Sequence, residues 1–104
     1  MTINKDSAEI ITLPEAEVYT HSFQETYPGE TKAFFAGINK LKQVLEQDGC
    51  IGIRIYAGLD KTTNRKNLVL VGVDALGRDM VNGTLLEQLN PCPPNCDNNS
   101  VLIL

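Results

Sequence analysis

Two apolar segments separated by a polar spacer constrain this chain more than anything else in it: CIGIRIYA at residues 50–57 and NLVLVGVD at residues 67–74. Both are rich in β-branched residues and alternate with period two, the pattern of half-buried strands. The spacer GLDKTTNRK suits the end of a hairpin. Register follows the apolar set that must share a face. Matching β-branched positions pairs Ile55 with Val69, Ile53 with Val71 and Ile51 with Val73. The same register sets Gly52 opposite Gly72, Arg54 opposite Leu70 and Tyr56 opposite Leu68. A floor of two glycines on the second face is then expected, and glycine inside a strand marks the close approach of a backbone or a ligand. Either the chain's own C-terminal tail crosses that floor, or a small molecule sits there. In the second case Gly52, Arg54, Tyr56, Leu70 and Gly72 form the site, Arg54 and Tyr56 recognising an anion or an aromatic group.

Around the hairpin the pattern is mixed α and β. Thr12-Leu13-Pro14-Glu15 has capping-box spacing with proline in the first turn, which predicts a helix from about 14 to 26. Ala16, Tyr19, Phe23 and Tyr27 would form its apolar stripe, and His21, about 140° around from Ala16, would face solvent. TKAFFA (31–36) reads as a short strand. Ile38, Leu41, Val44 and Leu45 then repeat at helical spacing, with Asn39 as N-cap and Gly49 as the stop. Asp74-Ala75-Leu76-Gly77 has the form of a type I turn. Arg78 to Val81 suits a short strand, and Thr84 to Glu87 repeats capping-box spacing and allows one helical turn. The fold class expected is a small α+β domain: two helices on a short antiparallel sheet centred on the hairpin, with an irregular tail. Residues 1–11 form an arm and 12–104 the single domain, since 104 residues suffice for one core.

Composition narrows the function classes. With 42% hydrophobic and 21% charged residues the chain is of ordinary globular type. Its net charge is -4, and only Lys61, Arg65 and Lys66 cluster, at the hairpin loop, so nucleic acid is not an expected partner. No apolar run approaches a membrane span, and MTINKDSAEI lacks the basic start and apolar run of a signal peptide, so a cytoplasmic location is expected. GxSxG, HExxH, P-loop and GxGxxG motifs are missing, and Asp60, Asp74 and Asp79 fall where turn capping accounts for them. No catalytic residue is assigned.

The remaining chemistry lies in cysteine. Cys92 and Cys96 flank Pro93-Pro94-Asn95, one residue too many for a CxxC pair, and the prolines exclude the helix that such a pair needs. A fully extended spacer, at about 3.1 Å per residue, would hold the sulfurs apart, whereas a disulfide needs Cα atoms within about 7 Å. Only a bend at Cys92-Pro93 or Pro93-Pro94 would close that gap. Structural zinc is the second option, with Cys50, Cys92 and Cys96 as ligands and His21 to complete the set. No other cofactor is implied. Packed or free thiols are the third option.

Taken together, GCIGIRIYAGLD, LVLVGVDALGRDM and PCPPNC resemble a group of short uncharacterised proteins of Bacteroidota, in which a GIRIY-like and a VGVD-like strand precede a C-terminal CPPxC. The resemblance spans residues 31–99 and implies a small cytosolic bacterial domain, but no particular activity. The functional expectation is a small cytoplasmic interaction or regulatory module that binds a protein partner or associates with itself. The alternative is a thiol-dependent site, either a Cys92/Cys96 redox switch or structural zinc, with the Arg54/Tyr56 small-molecule site as a weaker third reading.

Overall fold

A computed structural model describes residues 2–104. The elements run α1 (Leu13–Thr26), β1 (Ala33–Phe35), α2 (Ile38–Leu45), β2 (Cys50–Asp60), β3 (Arg65–Asp74), β4 (Leu85–Leu86) and β5 (Asn90–Cys92). The fold is α+β, as the patterning predicts, with two antiparallel sheets, β2-β3-β4 and β1-β5. The chain forms two compact units. A hairpin unit comprises the residues up to Ser7 with Ala36–Leu89, and a tail unit comprises Ala8–Phe35 with Asn90–Leu104.

In the hairpin unit β3 is the central strand. Leu70, Val71, Gly72 and Val73 are all buried, so both of its faces are covered. That explains why LVLVGV is a continuous apolar run, and such a run carries little alternation from which register could be read. The register is one residue away from the sequence expectation. Tyr56 opposes Val69, Arg54 opposes Val71 and Gly52 opposes Val73, while Ile55 opposes Leu70 and Ile53 opposes Gly72. Two local features fix it. Asp60 pairs with Arg65 across a four-residue loop that closes with Asn64 in the left-handed region (φ 57°), and a bulge between Cys50 and Gly52 absorbs the extra residue at the other end.

The two-glycine floor therefore does not form. Gly52 lies open, since a methyl group there would meet no atom within 4 Å. Gly72 is covered, but by Gln47, Cys50 and Met80 of its own unit. Helix α2 packs on β2 and β3 with Val44 fully buried. Its N-cap is Gly37, two residues ahead of the Asn39 cap expected, and Gly49, with φ 84°, follows its end. Thr84 to Glu87 is not a helical turn. Leu85 and Leu86 extend along the open side of β3, opposite Val71 and Leu70, and the Thr84 N–H is taken by the Gln47 amide oxygen at 2.8 Å.

In the tail unit α1 starts as its capping box predicts, with the Glu15 N–H donating to the Thr12 hydroxyl. Strand β1 pairs with β5, placing Ala33 opposite Cys92, Phe34 opposite Pro91 and Phe35 opposite Asn90. Proline in so short a ladder is tolerated because a two-stranded ribbon consists only of edges. Helix α1 therefore shares its unit with this ribbon, and α2 is the helix that covers the hairpin.

Candidate functional site

Helix α1 is not covered along its apolar stripe, of which only Ala16 is half-buried. Its covered side carries Thr20, His21 and Gln24, whereas Tyr19 is 69% exposed, Phe23 42% and Tyr27 55%. The covering segment is the C-terminal tail. The Gln24 side chain, only 6% exposed, donates to the Leu102 carbonyl at 2.9 Å and accepts from the Leu104 N–H at 2.8 Å. His21 Nε2 lies 2.8 Å from the Val101 carbonyl. A carbonyl can only accept, so Nε2 carries the proton in this contact. Polar side chains face inward here because a strap of irregular backbone brings unpaired N–H and C=O groups that must be matched. His21 is thus half-buried, not solvent-facing as its helical position alone suggests.

The tail is shaped by its own sequence. Cys92 and Cys96 are joined by a disulfide with Cα atoms 4.8 Å apart, and the Cys92–Pro93 and Pro93–Pro94 peptide bonds are both cis. The chain bends at the two positions the sequence left available, and the extended spacer is not adopted. The Asn95 N–H donates to the Pro91 carbonyl, and the Lys32 N–H donates to that of Cys92, which ties the closed turn to the residue before β1. Downstream, Asp97 and Ser100 cap successive turns by accepting from the N–H groups of Asn99 and Leu102.

The aromatic side that results is a shallow apolar surface. Phe23 and Tyr27 stack at a tilt with centroids 5.3 Å apart, and Tyr19, Thr20, Phe23, Thr31 and Lys32 line a cleft of about 300 Å³. Lys32 is the one charged residue of that lining, in a unit that is otherwise acidic. The tail unit holds Glu9, Glu15, Glu17, Glu25, Glu30 and Asp97 against Lys32 alone.

The other residues singled out by sequence are divided between the units. Arg54 and Tyr56 do sit together on one face of β2, and both are engaged by Asp79. Arg54 Nη1 donates to Asp79 Oδ1 and to the Gly77 carbonyl, and the Tyr56 hydroxyl donates to Asp79 Oδ2. The hydrogen bond from Tyr56, together with that and the charge of Arg54, holds the Asp79 carboxyl below its ordinary value. The same bond to Asp79 raises the Tyr56 phenol. Turn capping is the sequence expectation for Asp79; the signal for its role with Arg54 and Tyr56 is its position just beyond a turn that returns the chain alongside β3. Leu70 and Gly72 are buried in β3 on the opposite face from Arg54. Cys50 is a free, half-buried thiol in the hairpin unit, donating to the Gly52 carbonyl, whereas Cys92 and Cys96 bond to each other in the tail unit. Among the described residues, no three His, Cys, Asp or Glu side chains gather to hold a metal ion, and no helix is long and apolar enough to cross a membrane. No family model, curated protein or solved structure matches the chain.

Proposed function

We propose that this chain is a small protein-interaction module whose working surface is the aromatic side of α1. One observation carries the reading: α1 buries its polar side under the tail and presents Tyr19, Phe23 and Tyr27 to solvent. Aromatic side chains supply large contact area at low entropic cost, and they dominate binding energy where they fill a partner's pockets. The net acidic charge of the unit favours a cationic partner, so the occupant is a basic amphipathic protein segment with apolar anchors. A Lys/Leu model helix titrated against the full chain tests this. Binding is expected to weaken by about tenfold or more in Tyr19→Ala and Phe23→Ala, and to fall with added salt. Equal affinity for an acidic control helix, or indifference to both substitutions, overturns the reading.

A second reading has its own support: the Cys92–Cys96 disulfide stands at the entrance to the strap. In a cytoplasmic setting such a bond is a transient, redox-responsive one. A dithiol reductant would break it, giving two cysteine thiols and an oxidised dithiol, and would free the turn from which the tail runs to α1. Cys92→Ser/Cys96→Ser should then reproduce the reduced chain's affinity for the same model helix. Identical affinity in the oxidised, reduced and double-serine forms rejects a regulatory role for the bond.

A further inference from the structure

Strand β2 lies at the edge of its sheet, next to β3 only. The ladder shows which of its backbone groups are free. The Met80 N–H donates to the Gly72 carbonyl and the Asp74 N–H to that of Arg78, so the even-numbered residues of β3 point away from β2. The odd-numbered residues of β3 therefore bond β2, and they oppose Arg54, Tyr56, Gly58 and Asp60. By alternation, the N–H and C=O groups of Ile55, Ala57 and Leu59 point outward from the sheet. Among the described residues nothing bonds them. Their side chains are exposed as well, Ile55 at 61% and Leu59 at 54%. A long apolar edge of this kind is a template for another strand, and it lacks the usual protections of proline or an outward lysine.

The sequence of the edge specifies the occupant. Reading outward from Ala57, Tyr56 balances Gly58, Ile55 balances Leu59 and Arg54 balances Asp60. We infer that β2 pairs antiparallel with β2 of a second copy of this chain about a two-fold axis at Ala57, joining two hairpin units into one continuous sheet. In that register Ile55 faces Leu59 of the second copy, Ala57 faces Ala57, and each such pair exchanges two N–H···O bonds. On the other face the register sets Tyr56 opposite Gly58 and Arg54 opposite Asp60, a pairing of unlike charge repeated on both sides of the axis, so the interface is isologous. Arg54 can take a second carboxylate because only its Nη1 is engaged by Gly77 and Asp79. Ile3, Asn4, Lys5 and Ser7 line a cleft of about 370 Å³ with Ile51 to Ile55, whereas Tyr56 to Asp60 have no such neighbour among the described residues, which favours Ala57 over a centre nearer Cys50.

Sedimentation of the full chain from about 1 μM to about 1 mM, with amide hydrogen exchange, tests the pairing. A concentration-dependent dimer is expected, in which the amides of Ile55, Ala57 and Leu59 gain protection with concentration while those of Arg54, Tyr56 and Gly58 are protected throughout. Ile55→Lys should weaken the dimer at least about tenfold, and Ile55→Lys/Leu59→Glu should restore it, because the two new charges face each other across the axis. Asp60→Lys, at the exposed strand end, provides a second disruption that leaves the apolar row intact. A monomer throughout overturns the inference. So does a dimer indifferent to Ile55→Lys and Asp60→Lys, which would assign self-association to another surface such as α1. Failure of the double variant to recover overturns the Ala57-centred register.

Discussion

Gln47 shows how much one side chain can organise. Its amide nitrogen donates to the Val44 carbonyl and its oxygen accepts from the Thr84 N–H, both at 2.8 Å. The same amide occupies the space that a Cβ would need at Gly72 and at Gly83. Both glycines are thus required by close approach, and Gly52 is not. Gly72→Ala should therefore destabilise the fold by about 1–3 kcal/mol through overpacking. Gly52→Ala should stay within about 0.5 kcal/mol of the parent, since nothing lies within reach and strand glycine is itself unfavourable. Paired thermal melts would settle the contrast, and equal melting temperatures for the two variants would refute it. Asp79 gives a second prediction at this scale. Its folded value is lowered, first by the Tyr56 hydrogen bond and then by Arg54, so its ionised form stabilises the fold above the ordinary aspartate value. That stabilisation is lost as pH falls through the lowered folded value. Asp74, lowered by the Arg78 N–H and side chain, acts in the same direction. In Asp79→Asn the melting temperature should decline less steeply below about pH 4, leaving the slope due to Asp74. An acid limb identical to the parent's would remove Asp79 from this account.

At the scale of elements, two segments with the same spacing behave differently. Thr12 to Glu15 caps a helix and Thr84 to Glu87 does not. The difference is outside both segments, in the open edge of β3 and the Gln47 amide that takes the Thr84 N–H. Helix α1 gives the same lesson about faces. Periodicity found the helix and its two sides, but which side is covered depends on what arrives there. The tail brings carbonyls and N–H groups, and these select Gln24 and His21 over Tyr19 and Phe23. Gln24→Ala should leave the Leu102 carbonyl and the Leu104 N–H without their partners. It should destabilise the tail unit by about 1–3 kcal/mol, visible as faster exchange of the Leu104 amide. Unchanged exchange there would mean that the strap is held by other contacts.

Across the whole molecule, the disulfide and the hairpin belong to different units. Reduction should therefore act locally. Opening a loop as short as Cys92–Cys96 costs about 2 kcal/mol in the chain-entropy treatment. Amides of α1 and the tail should exchange faster in dithiol while those of β2 and β3 keep their protection, and uniform loss across both units would contradict this division. By itself, the sequence determined the α+β class, the capped start of α1, the amphipathic α2, the hairpin and the turn at Asp74–Gly77. Each of these rests on interactions between residues close along the chain, or on periodicity within one segment. Tertiary structure decided the extended course of Leu85–Leu86 and the side of α1 that meets solvent. Those depend on which backbone groups a distant segment leaves unpaired, a quantity that exists only once the segments have met.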